Sequence, residues 1–107
     1  MKAIIKINNA SYYSKFNFLT FDIEEMGSSF VAIKGLNPEF PNNKTDFSFD
    51  EIFIVDIETQ IKVLKNQIEY MENLNENQAP KELKNKYLND FQCLKKYCDF
   101  RKIKIEN

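Results

Sequence analysis

No histidine occurs in the 107 residues, and only two cysteines do. The commonest general base, the commonest metal ligand and both familiar routes to an activated Ser or Cys are therefore missing. Cys93 and Cys98 are five positions apart, roughly 140° around a helix. They do not share a face and cannot build a four-ligand zinc site by themselves, so both are expected to be reduced thiols, buried or partly buried. The only two glycines, Gly27 and Gly35, exclude a phosphate-binding P-loop and a dinucleotide fingerprint. Carboxylates remain: Asp22, Glu24 and Glu25, and separately Asp46, Asp50, Glu51 and Asp56. With Lys34 such groups could serve a two-metal nuclease. They fall on outward strand positions and at turns, however, where acids cost least, so the expectation is no enzyme, no metal and no cofactor.

Binding chemistry is better represented. Residues 1–58 carry a net charge of −4 and ten of the fifteen aromatics, whereas residues 81–104 carry +5. An acidic end and a basic end follow. The acidic residues Asp46, Asp50, Glu51, Asp56 and Glu58 could meet a basic partner, with Tyr13 and Phe40 as apolar anchors. Tyr12 and Phe53 add to an aromatic surplus that strand alternation does not place inside. At the other end Lys84, Lys95, Lys96, Arg101, Lys102 and Lys104 could contact phosphates, with Tyr87, Tyr97 and Phe100 nearby in sequence.

The elements that must position these groups change character at residue 56. Residues 2–7 read as a first strand. Leu19, Phe21 and Ile23 alternate with Thr20, Asp22 and Glu24 in a second, one face buried and one wet. Residues 26–29 read as a hairpin turn with Gly27 at positive φ, and residues 30–35 as a third strand. A loop over 36–45 contains two prolines and Phe40. Residues 47–49 and 52–55 read as a fourth strand with a bulge or corner at Asp50 and Glu51. Beyond Asp56, a candidate N-cap, Ile57, Ile61, Leu64, Ile68 and Met71 recur at helical spacing. A polar linker over 73–78 and Pro80 lead into a second helix with Leu83, Tyr87, Phe91, Leu94 and Cys98 inward and Leu88 widening the stripe. Residues 101–106 alternate at period two and are expected to form a closing fifth strand.

Residues 13–25 (YSKFNFLTFDIEE), 30–35 (FVAIKG) and 49–56 (FDEIFIVD) resemble the small SH3-like barrels, including KOW-type modules, and also short prophage-type proteins of low-GC bacteria. The resemblance covers about half the chain and implies a strongly curved barrel and nucleic-acid binding. Asn17 stands where a KOW unit usually has glycine.

The expected fold is α+β: a small curved antiparallel sheet or SH3-like barrel of four to five strands over residues 1–56, with an αα hairpin over 57–100, in a single domain. Phe, Ile, Asn and Lys make up 49 of the residues and Gly, Ala, Arg and Pro only ten, the bias of an AT-rich coding sequence. No apolar run is long enough to span a membrane, and a cytoplasmic location is expected. The leading expectation is a non-catalytic inhibitor or adaptor. Its concrete form is a phage or mobile-element anti-defence (anti-CRISPR-like) protein that lays its acidic face on the nucleic-acid surface of a host nuclease. The alternative is a nucleic-acid-binding module using the basic C-terminal helix. A homodimer through Ile57, Ile61, Leu64, Ile68 and Met71 is a third reading.

Overall fold

The computed structural model describes residues 1–74 and 80–105. The chain is α+β and divides into two compact units, Met1–Asp56 and Ile57–Asn107. In the first unit, β1 (Lys2–Ile5), β2 (Thr20–Asp22) and β6 (Ile52–Val55) form one antiparallel sheet in the order β2-β1-β6. A second antiparallel sheet is ordered β3-β4-β5, from β3 (Glu25–Met26), β4 (Phe30–Lys34) and β5 (Lys44–Ser48). The chain passes from one sheet to the other between Ile23, whose N–H donates to Met1 O at 2.8 Å, and Glu24, whose N–H donates to Ala32 O at 2.9 Å.

Alternation on β1 and β6 turns Ala3, Ile5, Ile52 and Ile54 inward, and the ladder sets Ala3 opposite Ile54 and Ile5 opposite Ile52. Val31, Ala32 and Ile33 are consecutive and all buried, as befits a central strand enclosed on both faces. Phe47 from β5 and Ile7, Leu36 and Phe49 from the connecting segments complete this core.

Four expectations are corrected. The barrel is not formed: two open three-stranded sheets stand in its place. The expected fourth strand is in fact two, β5 and β6, which belong to different sheets because the turn at 48–51, closed by the Glu51 N–H to Ser48 O at 3.0 Å, redirects the chain. Gly27 does not have positive φ; that belongs to Gly35, at 82°. Gly27 is needed instead because any Cβ there would run into the Phe30 ring. Asp56 has φ of 56°, not the extended backbone typical of an N-cap.

The second unit is a helical hairpin, α1 (Ile57–Asn73) and α2 (Lys81–Arg101). Pro80 precedes α2, and its carbonyl accepts from the N–H groups of Leu83 and Lys84 at 3.1 Å. Most of the linker expected over 73–78 lies outside the described residues. Ile57, Ile61 and Leu64 from α1 and Leu94, Tyr97 and Cys98 from α2 are buried. The closing strand is not seen among the described residues: Arg101 ends α2, and residues 103–105 belong to no ladder, Glu106 lying outside them. The period-two pattern survives as solvent exposure, with Lys102 and Lys104 exposed and Ile103 and Ile105 half-buried. No described helix is long and apolar enough to cross a membrane.

Candidate functional site

An exposed aromatic rim on the β unit is built by a short 3-10 helix, Tyr12–Phe16, between β1 and β2. Ser11 starts it: its Oγ accepts from the Tyr13 N–H at 3.1 Å, and its carbonyl accepts from Ser14 Oγ at 2.6 Å. Asn17 ends it. The Asn17 amide donates to Ile7 O and accepts from the Ile7 N–H, both at 2.9 Å, so a side chain substitutes for the strand that would otherwise pair there. The position where a KOW unit has glycine is thus a clamp.

The next residue, Phe18, has φ of 67°, a left-handed conformation that is an outlier for a bulky residue. Its N–H donates to Ile5 O at 2.9 Å, which holds the backbone in that state. The side chain is 75% exposed, and Tyr12 and Leu19 are also more than half exposed. Lys15 Nζ lies 3.9 Å from the centre of the Tyr12 ring and adds a cation to this surface.

Of the two anchors expected from sequence, Phe40 is exposed at the loop tip, where its N–H donates to Asn37 O and its carbonyl accepts from the Asn43 N–H. Tyr13 is half-buried in an aromatic cluster, edge-on to Phe47 at 5.7 Å and stacked on Phe16 at 6.5 Å. Phe18 and Leu19 were missed because the alternating pattern assigns Leu19 to the buried face. The signal that could have found them is the adjacent apolar pair Phe18-Leu19 immediately after Asn17, which strand alternation cannot place on one buried face.

The acidic candidates are only partly gathered. Asp50 and Glu51 line a cleft of about 400 Å³ with Lys6, Asn8 and Asn9. Within it Ser48 Oγ donates to Asp50 Oδ1, and to Glu51 Oε1 at 2.8 Å. Asp46 is exposed on β5, opposite Ala32 of β4. Asp56 is exposed at the unit boundary, and Glu58 belongs to the helical unit. Among the described residues, no three His, Cys, Asp or Glu side chains converge to hold a metal ion.

The basic candidates do not share one helix face. Lys84 and Lys95 are roughly 20° apart around α2, but Lys96 is roughly 100° beyond Lys95. Of the aromatics near them in sequence, Tyr97 is wholly buried and Phe100 is exposed. Lys95, Lys102 and Lys104 do gather, around a cleft of about 640 Å³ at the end of α2. The seam suggested for a homodimer is enclosed within the chain at Ile57, Ile61 and Leu64, and only Ile68 and Met71 are half-buried. Burial, the nearby Asp99 and then Glu58 push the Cys98 thiol up from its ordinary pKa; burial, then Asp90, does the same for Cys93, with Lys96 opposing. Both thiols are free and are held in their protonated form.

Comparison with protein families, with curated proteins and with solved structures returned no match.

Proposed function

We propose that this chain is a non-catalytic binding protein that acts by occupying a partner's surface, as an inhibitor or adaptor. The observation that carries this reading is Phe18: a large apolar side chain, three-quarters exposed, on backbone that costs about 1–2 kcal/mol to hold. Strain retained at an exposed aromatic serves no packing purpose, and such strain concentrates where a surface is used. Tyr12, Leu19 and Phe40 are further exposed apolar side chains of this unit, and Asp46, Asp50 and Glu51 supply its negative charge. In its concrete form the reading is a phage or mobile-element anti-defence protein that covers the basic nucleic-acid channel of a host nuclease such as a CRISPR effector. Acidic side chains there substitute for phosphates, and the aromatics substitute for stacked bases.

The test is capture of nuclease-digested low-GC bacterial lysate on the tagged chain, repeated with Phe18→Gly and with Asp46→Lys. A discrete protein retained by the parent chain, weakened by both substitutions and outcompeted by single-stranded nucleic acid supports the reading. Retention unchanged by both substitutions overturns the assignment of this surface.

A further inference from the structure

We infer that the cleft at the C-terminal end of α2 is a binding site for a phosphate group, with Lys95, Lys102 and Lys104 as its ligands. This is a second site, independent of the aromatic rim. The cleft is open to solvent and has a volume of about 640 Å³. Among the described residues its charged lining is these three lysines and Asp99, while Phe91 and Ile103 contribute apolar walls. Three ammonium groups against one carboxylate leave a surplus of two positive charges, which a phosphate monoester or a diphosphate neutralises. A carboxylate ligand would leave one of them unmatched.

The backbone gives the second observation. Lys102 has φ of 57° and ψ of 39°, the left-handed conformation in which helix ends favour glycine. Its N–H donates to Asp99 O at 3.2 Å, and the Ile103 N–H donates to Cys98 O at 2.8 Å. This paired closure reverses the chain so that Lys102 and Lys104 both return to the cleft that Lys95 lines. A glycine would close the helix with less strain, yet the position carries a cation. The negative end of the helix dipole opposes an anion here, but it amounts to only about half a charge and its carbonyls at Cys98 and Asp99 are already engaged. The surplus of two lysine charges outweighs it.

Inorganic pyrophosphate, titrated calorimetrically into the full chain at low and at physiological salt, is the probe. Saturable binding at one site per chain is expected, weaker at higher salt. Lys95→Ala, Lys104→Ala and Lys102→Gly should each weaken it about five- to tenfold, the scale of losing one partly exposed charge contact. Lys86→Ala, on α2 but not lining the cleft, should leave it unchanged. Lys102→Gly relieves backbone strain, so lost binding in that variant cannot be ascribed to unfolding. A short single-stranded oligonucleotide that displaces pyrophosphate identifies a nucleic-acid phosphate as the source; pyrophosphate binding without displacement identifies a small phosphate ester. Absence of saturable binding, or an equal loss in Lys86→Ala, overturns the site.

Discussion

In the β unit, buried side chains come from four strands and the connecting segments, and Val31, Ala32 and Ile33 are enclosed without a gap in sequence. In the helical unit, the buried residues described are Ile57, Ile61 and Leu64 in the N-terminal half of α1 and Leu94, Tyr97 and Cys98 in the C-terminal half of α2. Toward the opposite ends of the helices, Ile68, Met71, Leu83 and Tyr87 are only half-buried. The difference teaches where local stability resides. The sheets draw buried side chains from four of their six strands, whereas the helix pair encloses its stripe at one end only, so its remaining turns open at lower free energy.

The sharpest test is truncation at each end of the hairpin. Tyr97→Ala should cost about 3–5 kcal/mol, since a wholly enclosed aromatic leaves a large cavity. Leu94→Ala should cost about 2–4 kcal/mol by the same reasoning, and half-buried Leu83→Ala about 1 kcal/mol. Urea denaturation followed by far-UV circular dichroism measures all three. Equal costs for Leu94→Ala and Leu83→Ala would break the comparison.

The β unit offers a test of tight packing without a cavity. Gly27→Ala drives a methyl group into the Phe30 ring, and overpacking of this kind costs about 1–3 kcal/mol. Because the obstacle is a ring rather than backbone, Phe30→Leu in the same chain should recover part of the loss. A double-mutant cycle reads that coupling directly, and strict additivity would show that the ring yields freely.

Much of this was legible in residue order. The change from period two to helical spacing at Asp56 coincides with the division into units, and Ile57, Ile61, Leu64, Leu94 and Cys98 lie inward as their spacing implies. What periodicity cannot carry is which strands pair. The 47–55 run reads as one strand with a bulge or corner at Asp50 and Glu51, yet Ser48, Asp50 and Glu51 close a turn that delivers its halves to separate sheets. The alternation at 102–105 is equally real, but residues 103–105 belong to no ladder. The site was less legible still. Phe18 is exposed through its own φ and through the Asn17 clamp on Ile7, both set by tertiary hydrogen bonds. Tyr97 directly follows exposed Lys96, and a list of basic residues with neighbouring aromatics does not separate it from exposed Phe100.

Left-handed backbone that glycine would occupy at lower cost is held by exposed residues in both units, Phe18 and Asp56 in the first and Lys102 in the second. Phe18→Gly and Lys102→Gly should each stabilise the chain by about 0.5–1 kcal/mol, the relief of strain being partly offset by the greater freedom of an unfolded glycine. Thermal and urea unfolding measure the gain, and it should accompany loss of partner binding in the first variant and of pyrophosphate binding in the second. A stabilised variant with undiminished binding would sever strain from function in that unit.

The smallest effect concerns how far enclosure reaches along α2. Burial raises the pKa of Asp90 above the ordinary carboxylate value of 3.8, with the ammonium of Lys86 opposing. The folded chain therefore holds this proton more tightly than the unfolded chain. Between the ordinary value and the higher folded one it binds more protons, so Asp90's contribution to stability falls as pH rises through that window and remains unfavourable at neutral pH. Asp90→Asn, which keeps the shape and removes the charge, should be slightly the more stable protein at neutral pH, by no more than about 0.5 kcal/mol, and should lose that advantage once the pH falls below the carboxylate range. Paired urea titrations at acidic and neutral pH measure this. A variant less stable at neutral pH would mean that attraction to Lys86 outweighs desolvation, and that the protected part of the helical unit ends C-terminal to Asp90.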